Sequence, residues 1–428
     1  QTLAFAPLLL LFLTIALPVL WLDYRSRLQL APVAMSNSTQ IRQIKLPWQG
    51  LGKLLGIVLA IGLIVFALIP RFPGYQGSLP VSAPIQYEQR NFDAQGIINR
   101  GYQRQGKAGG GSGAPQIDGK GGNGKGNGTL DDNFYYGFNA QIDQNLRGMI
   151  KPKLVMRVRS QSPGFWRALA FDRYTGQGWE ISRNAQTTKV RRPDWDYKFS
   201  LGYPRTKIPT KQVIQSYTAL EELPNIIPGM SSVSELYFPT PEIALDKEGS
   251  LRSPVGLLKG LTYTVVSQVP FRNRSLLDRA KTNYSADITK YYLQIPAEIA
   301  PKLRKYTQDL VVNSSQIQVG KSTEPLTNNY DRALFLAQYL KQHYHLPQDP
   351  LGLDRVPDGG DLASWFLFRC EGKSTSCEAG GYADHFVTTY TMMLRSIGIP
   401  ARLAVGFDSG RFNPFTGFYE VSNTDAHA

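Results

Sequence analysis

The chain's supply of soft and imidazole nucleophiles is short: two cysteines, Cys370 and Cys377, and four histidines, His343, His345, His385 and His427. A thiol attacks a carbonyl as its thiolate. That form is favoured at a helix N-terminus, where unpaired backbone N–H groups and the helix dipole stabilise negative charge. A histidine on an adjacent strand then takes and returns the proton, and an acid orients the histidine. Residues 381–428 carry the frame of such a site. Gly381-Tyr382-Ala383-Asp384-His385-Phe386 opens a helix whose apolar stripe is Phe386, Val387, Tyr390, Met393, Leu394 and Ile397, and Gly398 with Pro400 stops it. Leu403 to Phe407 reads as the next strand, with Tyr419 to Ser422 as its hairpin partner, ahead of Thr424-Asp425-Ala426-His427-Ala428. The helix start, however, holds alanine.

The helix start, the run Met392-Met393-Leu394-Arg395-Ser396-Ile397-Gly398-Ile399-Pro400-Ala401-Arg402 and the ending Ala426-His427-Ala428 together resemble the transglutaminase-like core of the bacterial TgpA-type membrane proteins. That family reads Gly-Tyr-Cys-Glu-His-Phe, then Leu-Arg-x-Gly-Ile-Pro-Ala-Arg, then Ala-His-Ala-Trp. The resemblance implies that Ala383 occupies the nucleophile position and that His427 lies where the general base belongs. It also implies that the acid lies past residue 428; opening on Gln1 and stopping at His427-Ala428 with that motif half finished, the chain is expected to be a fragment, or an incomplete gene, lacking both ends. His385 belongs to the family pattern, which gives it a structural role near the helix start.

A methyl group cannot attack a carbonyl, so three readings of Ala383 compete. In order of weight they are natural loss leaving a substrate-binding pseudoenzyme, an engineered Cys→Ala change, and replacement by Cys377, six residues upstream. Natural loss leads because Arg369 to Gly380 is a longer loop than the family carries, and it holds both cysteines. A Cys370–Cys377 disulfide would staple that loop on an oxidising side of a membrane and would disarm Cys377. His343 and His345 flank Tyr344 at a helix end, where the C-terminal dipole accounts for them. No spacing of cysteine and histidine makes a metal site, and nothing calls for a cofactor.

The elements that must position these residues follow from composition and pattern. With 428 residues, 42% apolar and 19% charged, the chain has room for several cores. The net charge of +14 accompanies no nucleic-acid recognition module, which leaves a basic surface or contact with anionic envelope material. Leu3 to Leu22 and Leu54 to Ile69 are uncharged apolar runs and predict transmembrane helices over 1–22 and 54–70. Between them Arg25, Arg27, Arg42, Lys45 and Lys53 face a single acid, Asp23, so residues 23–53 are expected in the cytoplasm and the remainder outside. Residues 71–149 form an extracytoplasmic stretch. Its Gly-rich part, 106–128, is a linker: Gly119 to Lys125 approaches a phosphate loop, but Gly126 stands where a hydroxyl should hold magnesium.

From Lys153 the period is two, and residues 150–290 predict an antiparallel β domain. Phe165-Trp166-Arg167 to Gly178-Trp179 looks like the β region that precedes the family's core, its aromatic residues read as packing rather than a sugar platform. From residue 291 the period turns helical, with Ile299, Leu303, Tyr306 and Leu310 on one face and Ala333, Ala337, Leu340 and Tyr344 on another. The expected fold is thus α+β: two transmembrane helices, an antiparallel β domain, and a transglutaminase-like, papain-like core over 291–428, truncated at its C-terminus. The expected function is a pseudoenzyme of the bacterial inner membrane with its main domain periplasmic. It would bind a peptide or amine-bearing envelope substrate between the Ala383 helix and the His427 strand, with no nucleic acid, metal or cofactor. The alternatives are an active cysteine acyl-transferase or amide hydrolase with its nucleophile substituted, and a non-catalytic envelope docking domain.

Overall fold

The computed structural model describes residues 137–144, 151–202, 208–314, 316–319, 322–347, 353, 355–372 and 380–428. Gly56, Ile97, Tyr102–Gln103 and Thr129–Leu130 are described besides. The chain divides into two compact units, Gln1–Phe72 with Pro414–Thr416, and Pro73–Asn413 with Gly417–Ala428. In the first unit Gly56 is helical and exposed. That residue apart, the expected spans 1–22 and 54–70 and the loop 23–53 lie outside the described residues, as does the Gly-rich segment 106–128. Among the described residues no helix is long and apolar enough to cross a membrane.

The second unit begins, after its short upstream pieces, with β1 (Gln141–Asp143), β2 (Leu154–Ser160), β3 (Trp166–Phe171), β4 (Arg173–Tyr174) and β5 (Gly178–Glu180). There follow β6 (Thr187–Arg191), β7 (Lys198–Ser200), β8 (Thr210–Ala219), β9 (Ile226–Ile227) and β10 (Val233–Tyr237). β11 (Glu242–Asp246), β12 (Leu251–Arg252) and β13 (Thr262–Pro270) close the β-rich stretch. Six described helices come next, with a short antiparallel hairpin of Gln316–Val319 and Ser322–Pro325 between the third and fourth: α1 (Arg274–Asp278), α2 (Ala286–Tyr292), α3 (Ala300–Asn313), α4 (Asn329–His343), α5 (Leu362–Phe368) and α6 (Ala383–Ser396). The chain ends with β14 (Leu403–Phe407), β15 (Arg411–Asn413), β16 (Phe418–Ser422) and β17 (Ala426–His427).

Local chemistry explains the longest strands. β8 and β13 pair antiparallel in strict register, Tyr217 opposite Tyr263 and Thr218 opposite Thr262. On the core face the two tyrosine rings stack at 4.8 Å, with Trp166 edge-on to Tyr217. On the other face hydroxyls meet across the strands, Ser216 with Thr264 at 3.0 Å and Thr218 with Thr262 at 3.2 Å. Such cross-strand pairs are what stabilise a ladder.

Two sheets are completed by strands far apart in the chain. The large sheet runs β15-β16-β2-β8-β13-β10-β7, so the C-terminal hairpin extends a sheet begun before residue 270. A smaller one runs β17-β14-β3. The expected hairpin of Leu403–Phe407 with Tyr419–Ser422 does not form: β14 pairs with β3 and β17, whereas β16 pairs with β15 and β2. Leu403, Val405 and Phe407 are fully buried, so β14 needs a partner on each side, and a hairpin would have left it at an edge.

Helix ends follow ordinary chemistry. Asn328 caps α4 by accepting from Asp331 N at 2.9 Å, and Asp361 caps α5 by accepting from Ser364 N at 2.8 Å. α6 stops at Gly398, whose φ of 81° lies in the left-handed region and lets Ile399 N return to Leu394 O at 3.0 Å. Buried Glu248, from the β11–β12 turn, ties β and helical parts together. It accepts from Arg183 at 2.5 Å, from Arg402 at 2.6 Å and from the Tyr292 hydroxyl at 2.9 Å. Arg402, the last residue of the Ile-Pro-Ala-Arg run, is thereby anchored one residue before β14.

Candidate functional site

Ala383 is the first residue of α6, and it is exposed. Tyr382, the N-cap, makes no side-chain capping bond, so the helix start is not closed over by its own sequence. A close backbone approach delivers this end of the helix. Gly380 bridges His345 in parallel fashion and Gly381 N donates to His345 O at 3.1 Å. A Cβ on Gly380 would lie 1.9 Å from that carbonyl, so only glycine permits the approach.

Beneath the helix start lies a buried polar bridge to β1 and β5. Gln144 donates through Nε2 to Asp384 O at 3.1 Å and accepts at Oε1 from the Thr388 hydroxyl at 2.9 Å. Trp179 Nε1 donates to the same Thr388 oxygen at 2.9 Å. His385 is fully buried, with Nε2 3.1 Å from Gln144 O. A carbonyl can only accept, so His385 carries its proton on Nε2 and the ring holds the helix in place.

The other end of α6 is fixed by Arg395. Its guanidinium donates to Ala401 O, Gln294 O and Asp172 O at 2.8–2.9 Å and lies 5.0 Å from the Trp179 ring centre. Burial pushes it down to about 10, which leaves it a cation at neutral pH.

The expected buried stripe of α6 is only half buried. Met393 and Leu394 lie in the core, but Phe386, Val387 and Tyr390 are partly exposed, and the core side is made instead by His385, Thr388, Thr389 and Met392. Buried threonines replace apolar residues there, Thr388 within the polar bridge and Thr391 bonded to Val387 O. Phe386, Val387 and Tyr390 line a cavity of about 510 Å³ with Ala383 itself. Ala337, Leu340 and Tyr344 form its second wall, and the exposed residues Lys341, His345 and Leu346 its rim. Both phenols turn their polar ends away: Tyr390 donates to Ala333 O at 2.9 Å, and the Tyr344 hydroxyl meets Tyr306 and Leu367 O.

The remaining expected residues are dispersed. His427, half-buried on β17, faces Phe165 edge-on and is not among the described residues lining the Ala383 cavity. Its Nδ1 lies 3.0 Å from Asp425 O and so must donate, which leaves the lone pair of the neutral ring on Nε2. Cys370 follows α5 and is disulfide-bonded; Cys377 lies outside the described residues. His343 stacks on Tyr339 at 4.1 Å, its Nδ1 2.9 Å from Tyr339 O, and His345 is exposed. Among the described residues no group of three or more His, Cys, Asp or Glu is placed to hold a metal ion.

Gln144 and Glu248 carry much of this architecture and escaped the sequence reading. Each is a single polar residue with no local pattern around it, and its partners lie tens to hundreds of positions away. The aromatic turn at Trp179 and the arginine at 395 were visible as motif residues, but their partners were not.

Two family descriptions match this chain. The TgpA N-terminal domain matches residues 1–273, and the transglutaminase-like superfamily matches residues 317–428. The uncharacterized protein YebA of Bacillus subtilis (strain 168) is 23% identical over 283 residues, 62% of this chain and 34% of that protein. The chain thus spans about a third of that relative's length. Among solved structures, the periplasmic domain of TgpA from Pseudomonas aeruginosa superposes with a TM-score of 0.42 at 18% identity, covering 64% of this chain and 81% of that one. The same domain bound to ethylmercury gives 0.40 at 16% identity, with 65% and 84% covered.

Proposed function

The chain belongs to the TgpA N-terminal domain family and carries a transglutaminase-like domain, and on that premise we propose that it is a substrate-binding pseudoenzyme of the cell envelope. It is anchored by the apolar runs at 1–22 and 54–70, with the basic loop 23–53 in the cytoplasm and the transglutaminase-like domain outside. Its cleft takes a peptide or amine-bearing substrate at the start of α6. One observation carries the reading. Ala383 heads α6, exposed at a cavity, where a nucleophilic thiol would need to stand. In the same reading Cys370 pairs with Cys377, which leaves no free thiol in the chain and removes Cys377 as a substitute nucleophile.

A second reading, an acyl-transfer or amide-hydrolysing enzyme with its cysteine replaced, draws support from the surviving frame. The bridge through Gln144, Thr388 and Trp179 holds the helix start, and His427 keeps Nε2 as its basic nitrogen. The two readings separate on Ala383→Cys in the full-length protein. We expect no acyl-enzyme and no turnover of glutamine peptides by the Ala383 protein. The variant thiol should react with iodoacetamide with an apparent pKa below the ordinary value of about 8.5, because the helix start favours the thiolate. Turnover by the Ala383 protein itself would sink the pseudoenzyme reading. Full turnover restored by the single change would favour the enzyme.

A further inference from the structure

We propose that the cavity between α4 and α6 is a specificity pocket, taking a bulky apolar side chain of an extended peptide while Lys341 at its rim pairs with an adjacent carboxylate. The inference rests on the reading above, in which a peptide lies at the start of α6, and it names the class of peptide.

Three observations carry it. First, Ala383, Val387 and Tyr390 fall on one helical face, so the pocket is continuous with the position where the substrate's reacting group would sit. Four residues of helix advance about 6 Å, and two residues of an extended strand advance roughly 6.8 Å. A peptide running along α6 with one side chain at Ala383 therefore brings the side chain two positions away to Val387. Second, at about 510 Å³ the cavity has the size and apolar walls of a ligand site. The hydroxyls of Tyr344 and Tyr390 are bonded elsewhere, so only their rings face it. Third, Lys341 lines this cavity, is exposed, and makes no ion pair among the described residues. An apolar bowl with one unpaired cation at its edge is complementary to an apolar residue beside an acid.

The test uses the full-length protein in detergent and fluorescein-labelled tetrapeptides ending Gln-Gly-Leu or Gln-Gly-Phe as free acids, read by fluorescence anisotropy. Burying the side chain predicts binding about tenfold to hundredfold tighter than for the matched Gln-Gly-Ser peptide. Amidation of the C-terminus should weaken binding severalfold in the parent and have no effect in Lys341→Gln. Leu346→Ser, at a residue 63% exposed and so without consequence for folding, should narrow the Leu-to-Ser preference. Equal affinity for Leu, Phe and Ser peptides would overturn the pocket and leave the peptide-binding reading standing. Loss of the carboxylate effect alone would remove Lys341's role and overturn the proposal as stated. Absence of binding by every peptide, Ser included, up to about 1 mM (roughly the weakest range of specific recognition) would remove both.

Discussion

Thr388 and Gln144 stand 244 positions apart in the chain, yet the threonine hydroxyl donates to the glutamine side-chain oxygen at 2.9 Å. The same hydroxyl accepts from Trp179 Nε1, so one buried oxygen joins α6 to β5 and to the residue that follows β1. Because Gln144 also donates to Asp384 O, the start of α6 is held on its buried side.

Replacing that oxygen tests how much the bridge contributes. Thr388→Val preserves shape but leaves a buried indole N–H and a buried amide oxygen without this partner. We expect a loss of about 2–4 kcal/mol in stability, since each unpaired buried group costs about 1–3 kcal/mol. Urea denaturation should show a lower midpoint at an unchanged slope; a change under about 0.5 kcal/mol would mean the bridge is ornamental.

Glu248 offers a second, independent test. Its buried carboxylate faces Arg183 and Arg402, and Glu248→Gln removes the charge while both guanidinium groups remain. Breaking a buried pair from one side costs roughly 3–5 kcal/mol, at the lower end here because Arg402 is partly exposed. The double change Glu248→Gln with Arg402→Gln should cost less than the sum of the two single changes, and strict additivity would deny the contact.

Alkaline pH should unfold this protein from its tyrosine core. Burial holds the Tyr217 and Tyr263 phenols well above their ordinary value and raises Tyr390 to about 12. The folded values are the higher ones, so the stabilisation is complete below about pH 10 and is lost as pH climbs from there toward the folded values. Unfolding free energy measured at pH 7, 8.5 and 11 should be flat between the first two and fall at the third. Stability that keeps rising past pH 10 would contradict this sign.

Topology is checked in intact cells. In the proposed arrangement a cysteine introduced at Gly110, within 106–128, reacts with a membrane-impermeant maleimide, and one introduced at Ser36, within 23–53, does not. The opposite pattern would invert the assignment of the basic loop.

Much of the fold is legible locally. The alternation in β8 and β13, the caps at Asn328 and Asp361 and the stop at Gly398 are written in neighbouring residues, because strand and helix periods and cap chemistry act over a few positions. Phe386, Val387 and Tyr390 show where that legibility ends. They make a good helical stripe, but a stripe names a face without naming what covers it. The core took the Thr388 side because Gln144 and Trp179 satisfy the hydroxyl there.

The sequence by itself determined that α6 begins at Ala383, that no thiol stands at that point, and that a histidine follows at 427 beyond the next strand. Only the tertiary structure decided that β14 lies between β3 and β17, that His385 carries its proton on Nε2, and that the apolar face beside Ala383 opens on a cavity. Each of these depends on partners brought from elsewhere in the chain. A strand's neighbours, a ring's tautomer and the cover over a helix face are all set by groups that meet only when the chain has folded.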